Sequence, residues 1–232
     1  MTDERSVVVH HVTKVYGVGA AQVAALRGAS TAVRAGEFVA VTGPSGCGKS
    51  TLLHLLAGLD TPTTGTVLIN GTDIGRLDED ARTAFRGRHI GVVFQSFNLL
   101  GILTAEENVA LPLTLGGVPA VTATRKARAA LDRVGLGARA KHRPTEMSGG
   151  EQQRVAVARA IVTDPSLILA DEPTGNLDAE NGRAVFDLLR GLAGARRTVV
   201  LVTHDPALAA RADRVVRLAD GVVVGVPDAS GL

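Results

Sequence analysis

Short runs of apolar, often β-branched residues recur along the chain, separated by glycine-containing turns and by stretches that read as helices. Val7-Val8-Val9, followed by His10-His11-Val12, and then the loosely alternating segment 23–33 predict two antiparallel strands before a turn at Ala35-Gly36. Four runs are apolar throughout: Phe38-Val39-Ala40-Val41, Ile90-Gly91-Val92-Val93-Phe94, Leu167-Ile168-Leu169-Ala170 and Val199-Val200-Leu201-Val202-Thr203. Such runs are the pattern of strands covered on both faces in a parallel sheet. A further strand is expected from Thr66 into the turn at Asn70-Gly71, and the Val-rich stretch 212–226 carries more strand signals around a turn at Asp220-Gly221. Helical stretches are read at 52–57, at the polar segment 78–87, at 123–134 and at 150–162. From Ser96 to Thr163 no strand pattern occurs, so the chain reads as one α/β domain over 1–232. Residues 1–95 and 164–232 form its core with a β layer, and 96–163 an inserted α-helical subdomain.

Candidate chemistry gathers where the apolar runs end. Directly after the Phe38 run stand Gly43, Pro44, Ser45, Gly46, Cys47, Gly48, Lys49, Ser50 and Thr51, a G-x-x-x-x-G-K-[ST] string between a strand and a helix. Its glycines let several backbone N–H groups turn toward one centre, and with the positive end of the helix they seat a polyphosphate. Lys49 supplies a mobile charge for the β- and γ-phosphates, Ser50 a hydroxyl suited to Mg²⁺, and Thr51 a hydrogen bond to a further phosphate. Gln95 closes the Ile90 run, Asp171 and Glu172 close the Leu167 run, and His204 follows Thr203. Ligands of open α/β sheets sit at the carboxyl ends of strands, so Lys49, Gln95, Asp171, Glu172 and His204 are expected at one edge. There Asp171 is the metal-side carboxylate, Gln95 reaches the metal or its water, Glu172 polarises a water for attack on the γ-phosphate, and His204 orients it.

Two further features admit two readings each. Tyr16, the one tyrosine, is either a stacking face for adenine or a strand aromatic filling the β layer. Ser148-Gly149-Gly150-Glu151 is a capping box. It is also a second helix end ready for an anion, since capping alone does not call for two consecutive glycines, which cost conformational entropy.

Composition narrows the partners. With 45% apolar residues the 232-residue chain has ample material for a core, which excludes a disordered protein. A net charge of +2 does not argue for nucleic acid, and 3% aromatics is too few for the stacking platforms of single-strand binders. The lone Cys47 cannot form an intrachain disulfide, which fits a reducing compartment. It reads as a small spacer between Gly46 and Gly48, with a thiol acidified by Lys49 as the alternative. No segment approaches the roughly 20 apolar residues that cross a bilayer, and the polar start MTDERS carries no signal peptide. Any membrane role therefore calls for another polypeptide.

Together these strings resemble the nucleotide-binding subunits of ABC transporters over nearly the whole chain. GPSGCGKST resembles their Walker A loop, Gln95 the Q-loop, MSGGEQQR at 147–154 the signature, and LILADEPT at 167–174 the Walker B strand. Gly175-Asn176-Leu177-Asp178 resembles the D-loop, His204 the switch histidine, and Tyr16 the adenine-stacking aromatic. Met147 in place of the usual leucine, and Glu151 where many members carry glutamine, are small departures. The resemblance implies a P-loop NTPase core of mostly parallel sheet flanked by helices, with an N-terminal antiparallel β layer and the helical insertion. It implies an ATPase using ATP and Mg²⁺, in a head-to-tail homodimer. Ser148, Gly149 and Gly150 of one copy then act on the ATP held by the other, with Asp178 coupling the two sites. It also implies a cytoplasmic subunit, peripheral on the inner face of the membrane through permease subunits. The strings FQSFNLL, ENVALPL, LLHLLAGLD and DEPTGNLD resemble most the branch of lipoprotein-releasing, macrolide-exporter and cell-division ATPases, which works with FtsX-like membrane subunits. The alternative within this frame is an ATP-regulated scaffold of a membrane complex. A soluble relative acting on nucleic acid or the ribosome ranks last, since one motif set and the short interval from Thr51 to Met147 leave no room for a second nucleotide domain or a long insertion.

Overall fold

The computed structural model describes residues 5–17 and 21–224. Met1-Thr2-Asp3-Glu4 of the polar start and Gly225-Val226 of the Val-rich stretch lie outside the described residues. In chain order the elements are β1 (Arg5–Tyr16), β2 (Val23–Arg34), β3 (Phe38–Thr42), α1 (Lys49–Leu56), β4 (Thr64–Ile69), β5 (Thr72–Asp73), α2 (Glu79–His89) and β6 (Ile90–Val93). Helices α3 (Ala105–Leu115), α4 (Ala120–Arg133) and α5 (Gly149–Ile161) follow. The chain then forms β7 (Leu167–Asp171), α6 (Ala179–Arg190), β8 (Thr198–Val202), α7 (Pro206–Ala209), β9 (Arg214–Ala219) and β10 (Val222–Val224). Each apolar run read as a strand is one. The chain divides into two compact units, Met1–Thr83 with Ala193–Leu232, and Ala84–Leu192, the first boundary falling within α2.

The first unit holds two sheets. β2, β1, β4 and β5 pair antiparallel in that order, with Val8 opposite Ala32 on one side and Leu68 on the other. β3 runs parallel to β8 and to β9, Phe38 facing Val199 and Val41 facing Val216, while β10 lies antiparallel on β9. All of β3 up to Val41 is buried, which is why its sequence has no polar alternation. Helix α1 buries Leu52, Leu53, Leu55 and Leu56, each worth about 1.5–3 kcal/mol against exposure. Arg214 pins the start of β9 to the β2–β3 turn, its Nε donating to Glu37 Oε1 at 2.7 Å and its guanidinium to the Ala32 carbonyl at 2.5 Å.

In the second unit β6 and β7 pair in parallel, Gly91 beside Ile168, and helices α3, α4 and α5 pack around Val109, Leu113, Ala127, Leu131, Val155 and Val157. Two buried polar groups at the start of α3 are fully used. The Asn108 amide donates to the carbonyls of Leu100, Leu103 and Thr104 and accepts from the Leu100 N–H, which fixes the turn ahead of the helix. Glu106, 4% exposed, receives Arg128 and Lys141, the latter at 2.9 Å.

Burial alone would push the Glu106 carboxyl up. The hydrogen bonds and charges of Arg128 and Lys141 outweigh it and hold the group below the usual carboxylate range. A depressed carboxylate stabilises the fold above its unfolded pKa of about 4.3, and that contribution is lost as pH falls through the lower folded value. Glu106→Gln is therefore expected to cost about 2 kcal/mol near neutrality, the deficit shrinking below about pH 4. Urea denaturation of both chains across that range checks this; a deficit independent of pH would remove the ion-pair account.

Candidate functional site

The loop between β3 and α1 takes its shape from glycine. Gly43 has φ +153° and Gly48 φ +103°. A Cβ on Gly43 would stand 2.0 Å from the Leu218 carbonyl oxygen, and one on Gly48 2.4 Å from that of Ala25. No other residue fits either place. Gly48 caps α1 without a side-chain hydrogen bond, and the first turn of the helix holds no acidic residue. The positive end of the helix is thus left without a negative side chain of its own. Lys49 folds back along the loop, its Nζ donating to the carbonyls of Gly43 at 3.0 Å and Pro44 at 2.8 Å. Pro44, Ser45, Gly46 and Ser50 are exposed, and Thr51 is half-buried. Cys47 is buried with its Sγ 3.9 Å from Lys49 Nζ, and its carbonyl accepts from Gly221 N–H at 3.1 Å.

Tyr16 ends β1 and is joined to this loop. Its hydroxyl donates to Asp60 Oδ2 at 2.9 Å, and the Thr51 side chain stands near enough to favour the ionised phenol. Partial burial, then Asp60, raises the phenol pKa. Asp60 Oδ1 takes Lys14 Nζ at 2.5 Å, and that ammonium lies 4.9 Å from the Tyr16 ring centre. Burial opposes the Asp60 charge, yet the hydrogen bonds of Lys14, the Thr61 amide and Tyr16 hold its carboxyl below the ordinary range. His204 is exposed in the turn between β8 and α7, where Asp205 caps α7 through the Ala207 and Leu208 amides.

The second unit carries the rest. Asp171 closes β7 with its Oδ1 buried and without a hydrogen-bond partner among the described residues. Glu172 follows in the left-handed region at φ +45°, a conformation costing roughly 1–2 kcal/mol that neighbouring structure must impose. Gln95, beyond the end of β6, donates through Nε2 to Asn176 Oδ1 at 3.4 Å, and Asn176 Nδ2 donates back to the Gln95 carbonyl at 3.2 Å. The chain beyond it also turns through positive φ, at Phe97 and Asn98. There the largely buried Arg159 guanidinium donates to both carbonyls, at 2.8 and 2.5 Å. Desolvation lowers the Arg159 pKa. Fully buried Gln153 joins the ends of β6 and β7 by donating to the carbonyls of Phe94 and Pro173.

Ser148 caps α5 in the expected box, its Oγ accepting from Glu151 N–H at 3.2 Å and its own N–H donating to Glu151 Oε2 at 2.8 Å. Gly150 has a packing reason that sequence did not reveal: a Cβ there would lie 2.3 Å from Asn181 Oδ1. Gly149 has no such neighbour, its nearest being the Leu177 side chain at 3.6 Å. Asn181 in turn donates from its backbone and side-chain amides to Asp178, the N-cap of α6, and these bonds hold the Asp178 carboxyl low. The structure therefore brings Tyr16 to the glycine loop, Gln95 to Asn176, and Gly150 to Asp178 through Asn181. The connecting roles of Lys14, Asp60, Gln153, Arg159 and Asn181 are not legible in the sequence, although Asp60 and Gln153 stand in strings quoted above. Only Gln153, a polar residue on the apolar side of its helix, left a local signal.

Residues 26–175 match the family described as ABC transporter. The lipoprotein-releasing system ATP-binding protein LolD of Psychrobacter arcticus is 51% identical over 91% of this chain and 94% of its own. The macrolide export ATP-binding/permease protein MacB of Hyphomonas neptunium is 46% identical over 92% of this chain, which spans 33% of that longer protein. Among solved structures, the dimeric post-hydrolysis state of the ATP-binding cassette MJ0796 bound to ADP and Pi shares 42% identity. It superposes with a TM-score of 0.87 over 94% of this chain and 97% of that one.

Proposed function

The chain belongs to the ABC transporter family as an ATP-binding subunit and ATPase of the LolD and MacB type, and from that premise we propose that two copies close around two ATP molecules to drive FtsX-like membrane subunits. The observation that carries the nucleotide seat is the start of α1, a glycine-shaped turn with an uncapped helix end, no acid in its first turn and Lys49 alongside. Such an end favours a polyphosphate. Lys49 exchanges loop carbonyls for phosphate oxygens, and Tyr16 with residues 43–51 holds the rest of the nucleotide.

Glu172 polarises the attacking water and His204 orients it toward the γ-phosphate, which is positioning and charge neutralisation rather than covalent chemistry. The orphaned Asp171 Oδ1 fits a cation or its water shell, and among the described residues no three His, Cys, Asp or Glu side chains cluster as an all-protein metal cage. That suits Mg²⁺, which keeps waters and phosphate oxygens in its shell; Ser50, Gln95 and Asp171 are the residues that would hold it. When bound, the ion neutralises phosphate charge. Ser148, Gly149 and Gly150 of a second copy cap the triphosphate, and Asp178 links the two sites. The dimeric MJ0796 cassette supports this pairing.

MacB joins ATP-binding and permease in its name, and this chain matches the smaller part of that protein. No helix among the described residues is long and apolar enough to cross a membrane. In this reading the chain sits on the membrane's inner face against permease subunits, with the helical segment 96–163 offering the surface. Purification from native membranes is expected to bring an FtsX-like permease with this chain and ATP-dependent phosphate release. A co-purifying permease of another architecture overturns the branch assignment, and a chain without phosphate release overturns the motor.

A further inference from the structure

We propose that Lys14 and Asp60 are positioning residues for the nucleotide base, locking the Tyr16 ring beside the phosphate loop with one face taken by the Lys14 ammonium and the other left for stacking. The proposal rests on the ATPase reading above and extends its site to two residues that the sequence analysis gave no role.

The ring stands at the end of a strand, 41% exposed and followed by a glycine with φ +85°, where it would ordinarily turn about its two side-chain torsions. Here two groups remove that freedom. The first is Asp60, whose Oδ2 accepts from the phenol. Thr51, the last residue of the loop and in the first turn of α1, stands close enough to the same phenol to favour its ionised form, which places the ring beside the phosphate seat. The second group is Lys14. Two positions earlier on β1, it shares the strand face of Tyr16, and its ammonium stands within cation–π range of the ring. The ammonium is itself fixed by Asp60 Oδ1 at 2.5 Å and the Thr61 carbonyl at 2.8 Å, with only 12% of the side chain exposed. One carboxylate thus orders both the ring and the cation covering it.

If the cluster served only to fix the turn after α1, its loss would weaken every ligand of the loop alike. As a base clamp it matters only to ligands that have a base. Calorimetric titration with Mg-ATP and with Mg-tripolyphosphate separates the two. In Asp60→Ala, Lys14→Met and Tyr16→Phe the Kd for ATP is expected to rise about tenfold, the loss of roughly one net hydrogen bond. The Kd for tripolyphosphate should stay within about twofold, Lys14→Arg should restore ATP affinity, and KM for ATP should rise with kcat retained. Parallel weakening of both ligands, or no change in either, overturns the proposal. Should Asp60→Ala fail to fold, Tyr16→Phe decides, because it leaves the Lys14–Asp60 pair intact. Wild-type chain that binds neither ligand overturns the ATPase reading itself, a result distinct from loss of base selectivity.

Discussion

Glu172→Gln is expected to lower steady phosphate release by about 10²–10⁴-fold, the usual worth of a positioned general base, while leaving ATP affinity nearly unchanged. The substitution is nearly isosteric, and glutamine meets the left-handed backbone at φ +45° with the same difficulty as glutamate, so the fold around β7 should be undisturbed. What disappears is the carboxylate oxygen to which the proposed mechanism assigns the proton of the attacking water. On the proposed arrangement the variant retains ATP long enough for the bound state to accumulate, with the charge of the triphosphate bridging loop and α5 helix end across two copies. Light scattering should show a dimer with Mg-ATP and a monomer with Mg-ADP, since loss of the γ-phosphate removes the differential affinity that favours closure. A monomer at high protein concentration with saturating Mg-ATP would reject the trans arrangement of Ser148 and its glycines. Turnover equal to wild type would remove Glu172 from the base role.

The strands were legible because a parallel strand buried on both faces has no polar alternation, and the glycine loop because few backbones but glycine's tolerate its geometry. Helix α3 leaves no helical signature in the sequence, since its interior proline, Pro112, and its apolar residues on several sides mask any one-sided period. Helix α6 is hidden in the sequence because Asn181-Gly182, in its first turn, looks like a turn in isolation. The site shows the same division. Motif residues announce themselves by spacing, whereas the ties that hold them are non-local: Tyr16 to Asp60, Gln95 to Asn176, Gly150 to Asn181. No local pattern encodes a hydrogen bond across 44 or 81 positions. Gly150 is the sharpest case. Two consecutive glycines exceed what a capping box needs, but close approach by Asn181 accounts for the second of them. The case for an anion at that helix end therefore falls on Ser148 and Gly149.

Lys49→Ala separates motor from scaffold, and its effect on binding is expected to be the larger of any single change in the loop. The wild-type ammonium donates to two loop carbonyls, so its removal first leaves Gly43 and Pro44 to solvent, a modest cost because Pro44 is exposed. The main loss comes with ligand. A charge-assisted hydrogen bond is worth about 1.5–3 kcal/mol, and contacts to two phosphates would together set ATP affinity back by about 10²–10⁴-fold. Equilibrium titration checks the affinity, and phosphate release should fall to background at ordinary ATP concentrations. Association with the permease then discriminates. In a motor, ATP drives closure and the variant loses ATP-dependent change in its partner while keeping ATP-independent contact. In a scaffold, wild-type turnover is already slight, and ATP governs whether the complex forms at all, so Lys49→Ala abolishes assembly.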